Sequence, residues 1–178
     1  MNEPICILAT LDKNYIPYFN VMLSSLLDKN EGETFRVFLM NSSLTEENLA
    51  LSRKLLFGRG ELVPVKIAEN EFDGAPTSDR YPKEMYYRIF ASKYLPADVD
   101  RVLYLDPDIV VNGSVRELYD MPMGENYFAA ATHIRAFLKK FNELRLDMDD
   151  DSPYINSGVM LMNLGLLRRE QSTDEVYS

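Results

Sequence analysis

Two aspartates interrupt an otherwise apolar stretch of the sequence. Asp106 and Asp108 flank Pro107, between the apolar runs 103–105 and 109–111. In extended backbone, side chains two residues apart lie on the same side, about 6–7 Å from each other. At an effective dielectric constant of about 20, two negative charges at that distance repel by about 2–3 kcal/mol. A hard divalent cation would offset this repulsion, so the pair is a candidate metal site, and the alternative is a solvated turn.

Three further segments carry polar side chains beside predicted elements. Residues 12–15 follow the first strand, where N–H groups and short polar side chains suit a base or a phosphate; the alternative is a loop with a helix cap. Arg88 lies in an apolar, aromatic helix and either extends to solvent along its stem or reaches an anionic ligand. Asn156 and Ser157 stand at a strand entrance, where a plain turn explains them equally well.

The elements that must position these residues are short apolar runs that alternate with helical patterns. This alternation predicts an α/β sheet with parallel neighbours, covered on both faces, in which ligands bind beyond the carboxyl ends of the strands. Pro107 has no N–H for a ladder, so the sheet should end there, with the two aspartates at its carboxyl edge. The predicted strands span 5–9, 35–40, 62–65, 101–105, 127–132 and 158–162, and the predicted helices span 15–27, 43–56, 82–94, 136–146 and 164–169.

Local signals refine these bounds. Asn14 is expected to cap the first helix, with Tyr15 on its apolar stripe. Ser43 and Glu46 have the spacing of a capping box for the second helix. Pro64 predicts an edge position or a strand end for residues 62–65. Residues 70–80 and 147–153 are expected to be loops, and His133 is expected to end a strand.

Composition limits the classes of function. The chain has 178 residues, 19 Lys and Arg, and 28 Asp and Glu, giving a net charge of −9. This length predicts one domain, and this charge argues against non-specific nucleic-acid binding. A single cysteine and a single histidine exclude a disulfide framework, a Cys-rich zinc site and any site that needs two imidazoles. The sequence lacks a run of about 20 apolar residues and a basic signal region, so a cytoplasmic setting is expected.

Four segments together resemble glycosyltransferase family 8, the retaining sugar transferases of the GT-A type that include bacterial lipopolysaccharide galactosyl- and glucosyltransferases. Residues 7–15 look like the family's first strand and uridine-binding turn, and 85–89 like the helix whose Arg approaches the donor. Residues 101–108 look like the metal-binding Asp-x-Asp, and 156–164 like the Asn-x-Gly strand beside the donor sugar. The resemblance implies a Rossmann-like, mixed but mainly parallel sheet flanked by helices.

The resemblance also implies a reaction. A hexose, galactose or glucose, would move from UDP-galactose or UDP-glucose to a hydroxyl of a saccharide or lipooligosaccharide acceptor, with retention at the anomeric carbon. Asp106 and Asp108 would hold Mn²⁺, or alternatively Mg²⁺, which would bridge the donor diphosphate. The positions that the resemblance assigns to the nucleotide sugar are Thr10, Leu11, Asp12, Asn14, Tyr15, Arg88, Asp106, Asn156 and Ser157.

In the family, an Asp- or Gln-bearing catalytic segment, a metal-binding His and the acceptor region lie further along, beyond the position of Ser178. His133 does not match that metal-binding His. Residues 1–178 are therefore expected to form a single donor-binding domain of a C-terminally truncated enzyme, with any peripheral contact to the inner membrane face made by the missing segment.

Three alternatives stay open at this point. One is a module that binds UDP and metal without turnover. Another is a haloacid-dehalogenase-type phosphatase, in which Asp106 would be the nucleophile and Asp108 the acid/base. The third is that the Asp pair is structural and the chain binds no nucleotide.

Overall fold

The computed structural model describes residues 3–68, 70–72, 84–132 and 155–172. Within these ranges six strands form one sheet in the order β3-β2-β1-β4-β6-β5. The first four of that order are mutually parallel, whereas β6 runs antiparallel to both β4 and β5. The mixed, mainly parallel sheet is confirmed, and the expectation of parallel neighbours is wrong at β6. The strands are β1 (Ile5–Thr10), β2 (Phe35–Asn41), β3 (Gly60–Lys66), β4 (Arg101–Leu105), β5 (Phe128–Ala130) and β6 (Val159–Asn163).

Helices cover both faces of the sheet, as expected. Residues of α1, α2 and α5 share one apolar core with alternate strand residues, and residues of α3, α4 and α6 share the other. Pro64 lies in β3, which is the edge strand that its missing N–H predicted. The helices are α1 (Ile16–Lys29), α2 (Glu46–Leu56), α3 (Glu84–Ile89), α4 (Ala91–Tyr94), α5 (Arg116–Tyr119) and α6 (Leu164–Glu170).

The alternation of side chains along β4 decides where its last residues point. Leu103 and Leu105 belong to the core that contains α1, whereas Val102 and Tyr104 belong to the core that contains α3. The backbone N–H of Asp106 donates to the Gly158 carbonyl at 2.8 Å, which extends the β4–β6 ladder by one residue. Because the period of a strand is two, Asp106 follows Tyr104 onto the α3 side at the carboxyl end of β4.

The first helix begins differently from the sequence expectation. The Asp12 side chain, rather than that of Asn14, caps the 3₁₀ turn Lys13–Tyr15 that precedes α1. Tyr15 is 45% exposed and does not join the buried stripe, because the 3₁₀ turn has fewer residues per turn than the α-helix and rotates it away.

Two other helix predictions need correction. The capping box of α2 uses Thr45 and Asn48 instead of Ser43 and Glu46, because the helix starts two residues later. The single helix expected over 82–94 is divided at Phe90, which leaves helical geometry (φ −96°, ψ 15°) while its buried ring stacks on Phe72.

Several predicted features lie outside the described residues. They are the helix at 136–146, the loop at 147–153, His133 and most of the loop at 70–80. Among the residues that the structure does describe, no helix is both long enough and apolar enough to span a bilayer.

Candidate active site

The carboxylate of Asp106 is the centre of a polar cluster at the end of β4. Its Oδ1 accepts a hydrogen bond of 2.7 Å from the Tyr104 hydroxyl and one of 3.3 Å from Arg88 Nη1. The Asp106 side chain is 34% exposed, whereas that of Arg88 is only 14% exposed. Arg88 therefore does not extend to solvent; the anion that it contacts is the Asp106 carboxylate of the chain itself, and a contact with an anionic ligand stays a prediction.

Tyr104 contacts every other member of this cluster through its hydroxyl. Its hydroxyl also contacts Thr10 Oγ1 at 3.3 Å and Arg88 Nη1 at 3.2 Å, and the Arg88 guanidinium stacks over its ring at 5.1 Å. Burial, aided by the nearby carboxylate of Asp106 and opposed by Arg88, raises the pKa of Tyr104 to about 12. At neutral pH the hydroxyl therefore keeps its proton and can donate it in a hydrogen bond.

Gly158 lies against the second carboxylate oxygen of Asp106, Oδ2. A Cβ at position 158 would lie 2.6 Å from Asp106 Oδ2 and 3.2 Å from Asn156 Oδ1. The N–H of Gly158 donates to Asn156 Oδ1 at 3.0 Å, so the segment before β6 folds against the end of β4. Any side chain at position 158 would displace the Asp106 carboxylate.

Asp108 lies in the turn that follows β4 and is exposed. The backbone turns at Pro107 and Asp108, so the extended geometry expected for the pair is wrong: proline cannot continue the ladder. Asp108 is exposed, and its side chain makes no hydrogen bond or ion pair to any residue that the structure describes.

The turn after β1 forms a second polar group. Both carboxylate oxygens of Asp12 accept hydrogen bonds, from the N–H groups of Asn14 and Tyr15 and from Asn14 Nδ2, at 2.8–3.2 Å. Leu11 is buried in the core, and its N–H donates to the Met40 carbonyl at 3.3 Å. Thr10, at the end of β1, connects this turn to the Asp106 cluster through Tyr104.

The structure thus brings together some of the residues singled out in the sequence. Arg88, Asp106 and Thr10 meet around Tyr104, and Asn156 approaches Asp106 through Gly158. Asp12, Asn14 and Tyr15 form their own turn, while Asp108 and Ser157 are neighbours of the cluster in sequence. Sequence reasoning assigned no role to Tyr104, although it stands two residues before Asp106 and so on the same face of the strand. Gly158 was noted only as the glycine of the Asn-x-Gly segment.

The donor atoms at this edge suit a hard cation. No group of three or more His, Cys, Asp and Glu side chains that could hold a metal occurs in the part of the chain that the structure describes. Asp106 and Asp108 nevertheless provide carboxylate oxygens, which Mn²⁺ and Mg²⁺ prefer. Asp106 Oδ2 accepts no hydrogen bond from a described residue. By the chemistry of their side chains the two residues therefore suit part of a coordination shell, which ligand phosphate oxygens and water would complete.

Comparison with known proteins identifies relatives of this arrangement. The family model described as "Glycosyl transferase family 8" matches residues 6–178. A lipopolysaccharide 1,2-glucosyltransferase of Escherichia coli is 28% identical over 168 residues, which cover 94% of this chain and 50% of that protein. A lipopolysaccharide 1,3-galactosyltransferase of Salmonella typhimurium is 26% identical over 90% of this chain and 48% of that protein. The chain thus spans about half the length of these curated relatives.

A solved structure shares the fold. The galactosyltransferase LgtC, crystallised in complex with donor and acceptor sugar analogs, superposes with a TM-score of 0.83 at 29% identity, covering 97% of this chain and 65% of that one. The GT-A type sheet that the resemblance implied is therefore confirmed.

Proposed function

Because this chain belongs to glycosyl transferase family 8, we propose that it binds a UDP-hexose and takes part in moving the hexose to an acceptor hydroxyl with retention at the anomeric carbon. The observation that carries the proposal is the Asp106 carboxylate at the carboxyl end of a central strand, with one oxygen held by Tyr104 and Arg88. Such strand ends are where ligands bind in α/β sheets.

Electrostatics explain why the site needs cations. The chain carries a net charge of −9, and the diphosphate of a UDP-sugar is also negative. Arg88 supplies one positive charge next to Asp106. Asp106 and Asp108 would hold Mn²⁺ or Mg²⁺, which when bound stabilises negative charge on the departing UDP.

The remaining residues would recognise the rest of the donor. Asp12, Asn14 and Tyr15 would contact uracil and ribose from the turn after β1, beside Thr10 and Leu11. Arg88 would face the sugar or its phosphate. Asn156, with Ser157 beside it, would contact the sugar from the segment before β6, which already lies against Asp106.

The names of the relatives support galactose or glucose as the transferred sugar and a saccharide or lipooligosaccharide as the acceptor. We propose that the reaction takes place in the cytoplasm or at the inner membrane face. A module that binds UDP without turnover remains the second candidate, because the chain spans about half the length of its relatives. The phosphatase alternative receives no support, since the family match extends over residues 6–178.

Thermal unfolding with Mn²⁺ and UDP tests the binding step. Ligand at about 100 times its dissociation constant should stabilise the protein by about 2.7 kcal/mol. Asp108→Ala should abolish the Mn²⁺-dependent part of this stabilisation without lowering the stability of the free protein, because the side chain is exposed. The matched control is Asp100→Ala, which removes another exposed carboxylate from the opposite end of β4. Equal stabilisation of the two variants would contradict a metal role for Asp108.

Turnover distinguishes the two candidate functions. UDP release from UDP-galactose or UDP-glucose, with and without lipooligosaccharide acceptor, should be measurable for a transferase. Tight UDP binding without release would instead favour the binding module.

A further inference from the structure

We propose that Tyr104 is the positioning residue of the metal site: its buried hydroxyl fixes Asp106 so that Oδ2, and not Oδ1, binds the cation. This inference rests on the proposed function, because it assumes that a metal–nucleotide complex binds at Asp106. It concerns a residue whose hydroxyl is taken up by three partners within the protein.

The direction of each hydrogen bond follows from the chemistry of its partners. An arginine guanidinium only donates, and an ionised carboxylate only accepts. Tyr104 must therefore accept from Arg88 Nη1 and donate its single proton to Asp106 Oδ1. Thr10 Oγ1, at 3.3 Å, is then the donor in its contact with the same hydroxyl. The Tyr104 hydroxyl has one donor and two acceptor positions, and all three have partners.

This arrangement makes the two oxygens of Asp106 unequal. Oδ1 accepts from both Tyr104 and Arg88, which lowers its capacity to bind a cation. Oδ2 accepts no hydrogen bond from the described residues and lies beside Gly158, where the missing Cβ leaves room for it. The carboxylate therefore presents Oδ2 as its free ligand atom.

The groups that hold the Asp106 carboxylate in this orientation are themselves buried or fixed by backbone hydrogen bonds. Tyr104 is 2% exposed in the central strand β4, and its ring packs in the core that contains α3. The Asp106 backbone is fixed by its hydrogen bond to Gly158. Partners that orient a metal ligand in this way typically change metal affinity by about 10- to 100-fold when they are removed.

Tyr104→Phe tests the proposal because it removes only the hydroxyl and keeps the ring under Arg88. The affinity for UDP in the presence of Mn²⁺ should fall about 10- to 100-fold. The affinity for UMP without metal should stay within about twofold, because the proposed uridine contacts lie in the turn after β1. The melting temperature should fall by a few degrees, because Thr10, Arg88 and Asp106 each lose a hydrogen bond. Isothermal titration of the full chain measures both affinities.

Tyr119→Phe is the matched control. Its hydroxyl bonds the carbonyl of Arg101, at the opposite end of β4 and roughly 16 Å from Asp106 along the strand. Tyr119 is less buried than Tyr104, but its hydroxyl is likewise hydrogen-bonded within the protein, so this substitution removes a phenolic hydroxyl without touching the Asp106 cluster. Tyr119→Phe should leave both affinities unchanged.

The outcomes separate the inference from the proposed function. If the wild-type protein does not bind UDP with Mn²⁺, the proposed function fails and the inference fails with it. If the wild type binds but Tyr104→Phe binds as tightly or more tightly, only the role of Tyr104 is overturned. Equal losses of UDP and UMP affinity would likewise overturn it, since they indicate a general structural role.

A crystal structure of the wild-type protein with Mn²⁺ and UDP provides a second test that needs no variant. The ion should contact Asp106 Oδ2 while the Tyr104 hydroxyl remains on Oδ1. An ion on Oδ1 would overturn the proposal.

Discussion

Two arginine–carboxylate pairs at opposite ends of the sheet differ in how many of their nitrogen and oxygen atoms form hydrogen bonds. Arg116 contacts both oxygens of Glu33 through Nε and Nη2, and it also reaches Asp120 and the Glu3 carbonyl. Arg88 contacts Asp106 through Nη1 alone, at 3.3 Å, and in the described part of the chain only that nitrogen forms hydrogen bonds.

This difference indicates that Arg116 and Glu33 stabilise the fold, whereas Arg88 and Asp106 belong to the candidate active site. The side chains of Arg116 and Glu33 are 18% and 16% exposed, and their hydrogen bonds join the amino-terminal region, the loop before β2 and α5. A bidentate arrangement of this kind is strong and leaves no room for a ligand. Arg88 and Asp106 instead leave donors of the guanidinium and the carboxylate oxygen Oδ2 without hydrogen bonds to the described residues.

Arg116→Ala should cause the largest effect, on stability. It removes the guanidinium from the largely buried carboxylate of Glu33, and breaking such a pair costs about 3–5 kcal/mol. Urea unfolding should show a loss of at least about 3 kcal/mol with little change in nucleotide affinity of the folded protein. Arg53→Ala, which breaks a bidentate but exposed pair with Glu46, should cost about 1 kcal/mol or less. Similar losses for both variants would refute the structural assignment.

Gly158→Ala should chiefly impair binding. The new Cβ would meet Asp106 Oδ2 at 2.6 Å, and the carboxylate cannot retreat without losing its bonds to Tyr104 and Arg88. UDP affinity with Mn²⁺ should fall about 10- to 100-fold by titration.

Gly165→Ala provides the matched control for this substitution. Its Cβ would also approach a carboxylate, Asp100 Oδ1 at 3.1 Å, but that side chain is 83% exposed and its ion pair with Arg168, at 3.6 Å, is weak, so it can rotate away at little cost. Unchanged UDP affinity is therefore expected for Gly165→Ala, and an equal loss in both variants would mean that proximity to Asp106 is not the cause.

Much of this fold was predictable from local patterns. The apolar runs gave β1, β2 and β4 within a residue or so, because buried strands are continuous hydrophobic segments. Pro64 and Pro107 marked an edge strand and a sheet end, since neither can donate to a ladder. The antiparallel direction of β6 was not predictable, because it depends on the path of the chain between β5 and β6.

The site was predictable only in part. Asp106 and Arg88 were found from a charge in an apolar stretch, but their direct contact depends on how α3 packs on the sheet. Tyr104 looks like one more core residue of β4, and its polar role appears only when α3 and β1 bring Arg88 and Thr10 to its hydroxyl. The glycine requirement at 158 depends likewise on a tertiary approach.

Arg88→Ala should reduce binding of the donor selectively. The Asp106 carboxylate is 34% exposed and keeps its bond to Tyr104, whereas Ala removes the Arg88 contacts to Tyr104 as well, so the loss of stability should be about 1–3 kcal/mol and smaller than that of Arg116→Ala. Affinity for a UDP-sugar should fall about tenfold more than affinity for UMP, because a charged hydrogen bond to the sugar or its phosphate contributes about 1.5 kcal/mol or more. Equal losses for both ligands would place Arg88 elsewhere in the site.

The smallest expected effect is on the unfolding free energy when each arginine is replaced by lysine. Lysine keeps the charge but lacks the planar fork that grips two oxygens at once. Arg116→Lys should therefore lose about 1–2 kcal/mol of unfolding free energy, because several of its bonds to Glu33, Asp120 and the Glu3 carbonyl cannot be reproduced together. Arg88→Lys should lose less, at most about 1 kcal/mol, since only one nitrogen is hydrogen-bonded and the remaining loss is the stacking on the Tyr104 ring. Urea unfolding of the two variants measures both values, and an Arg88→Lys loss as large as that of Arg116→Lys would mean that both pairs are structural.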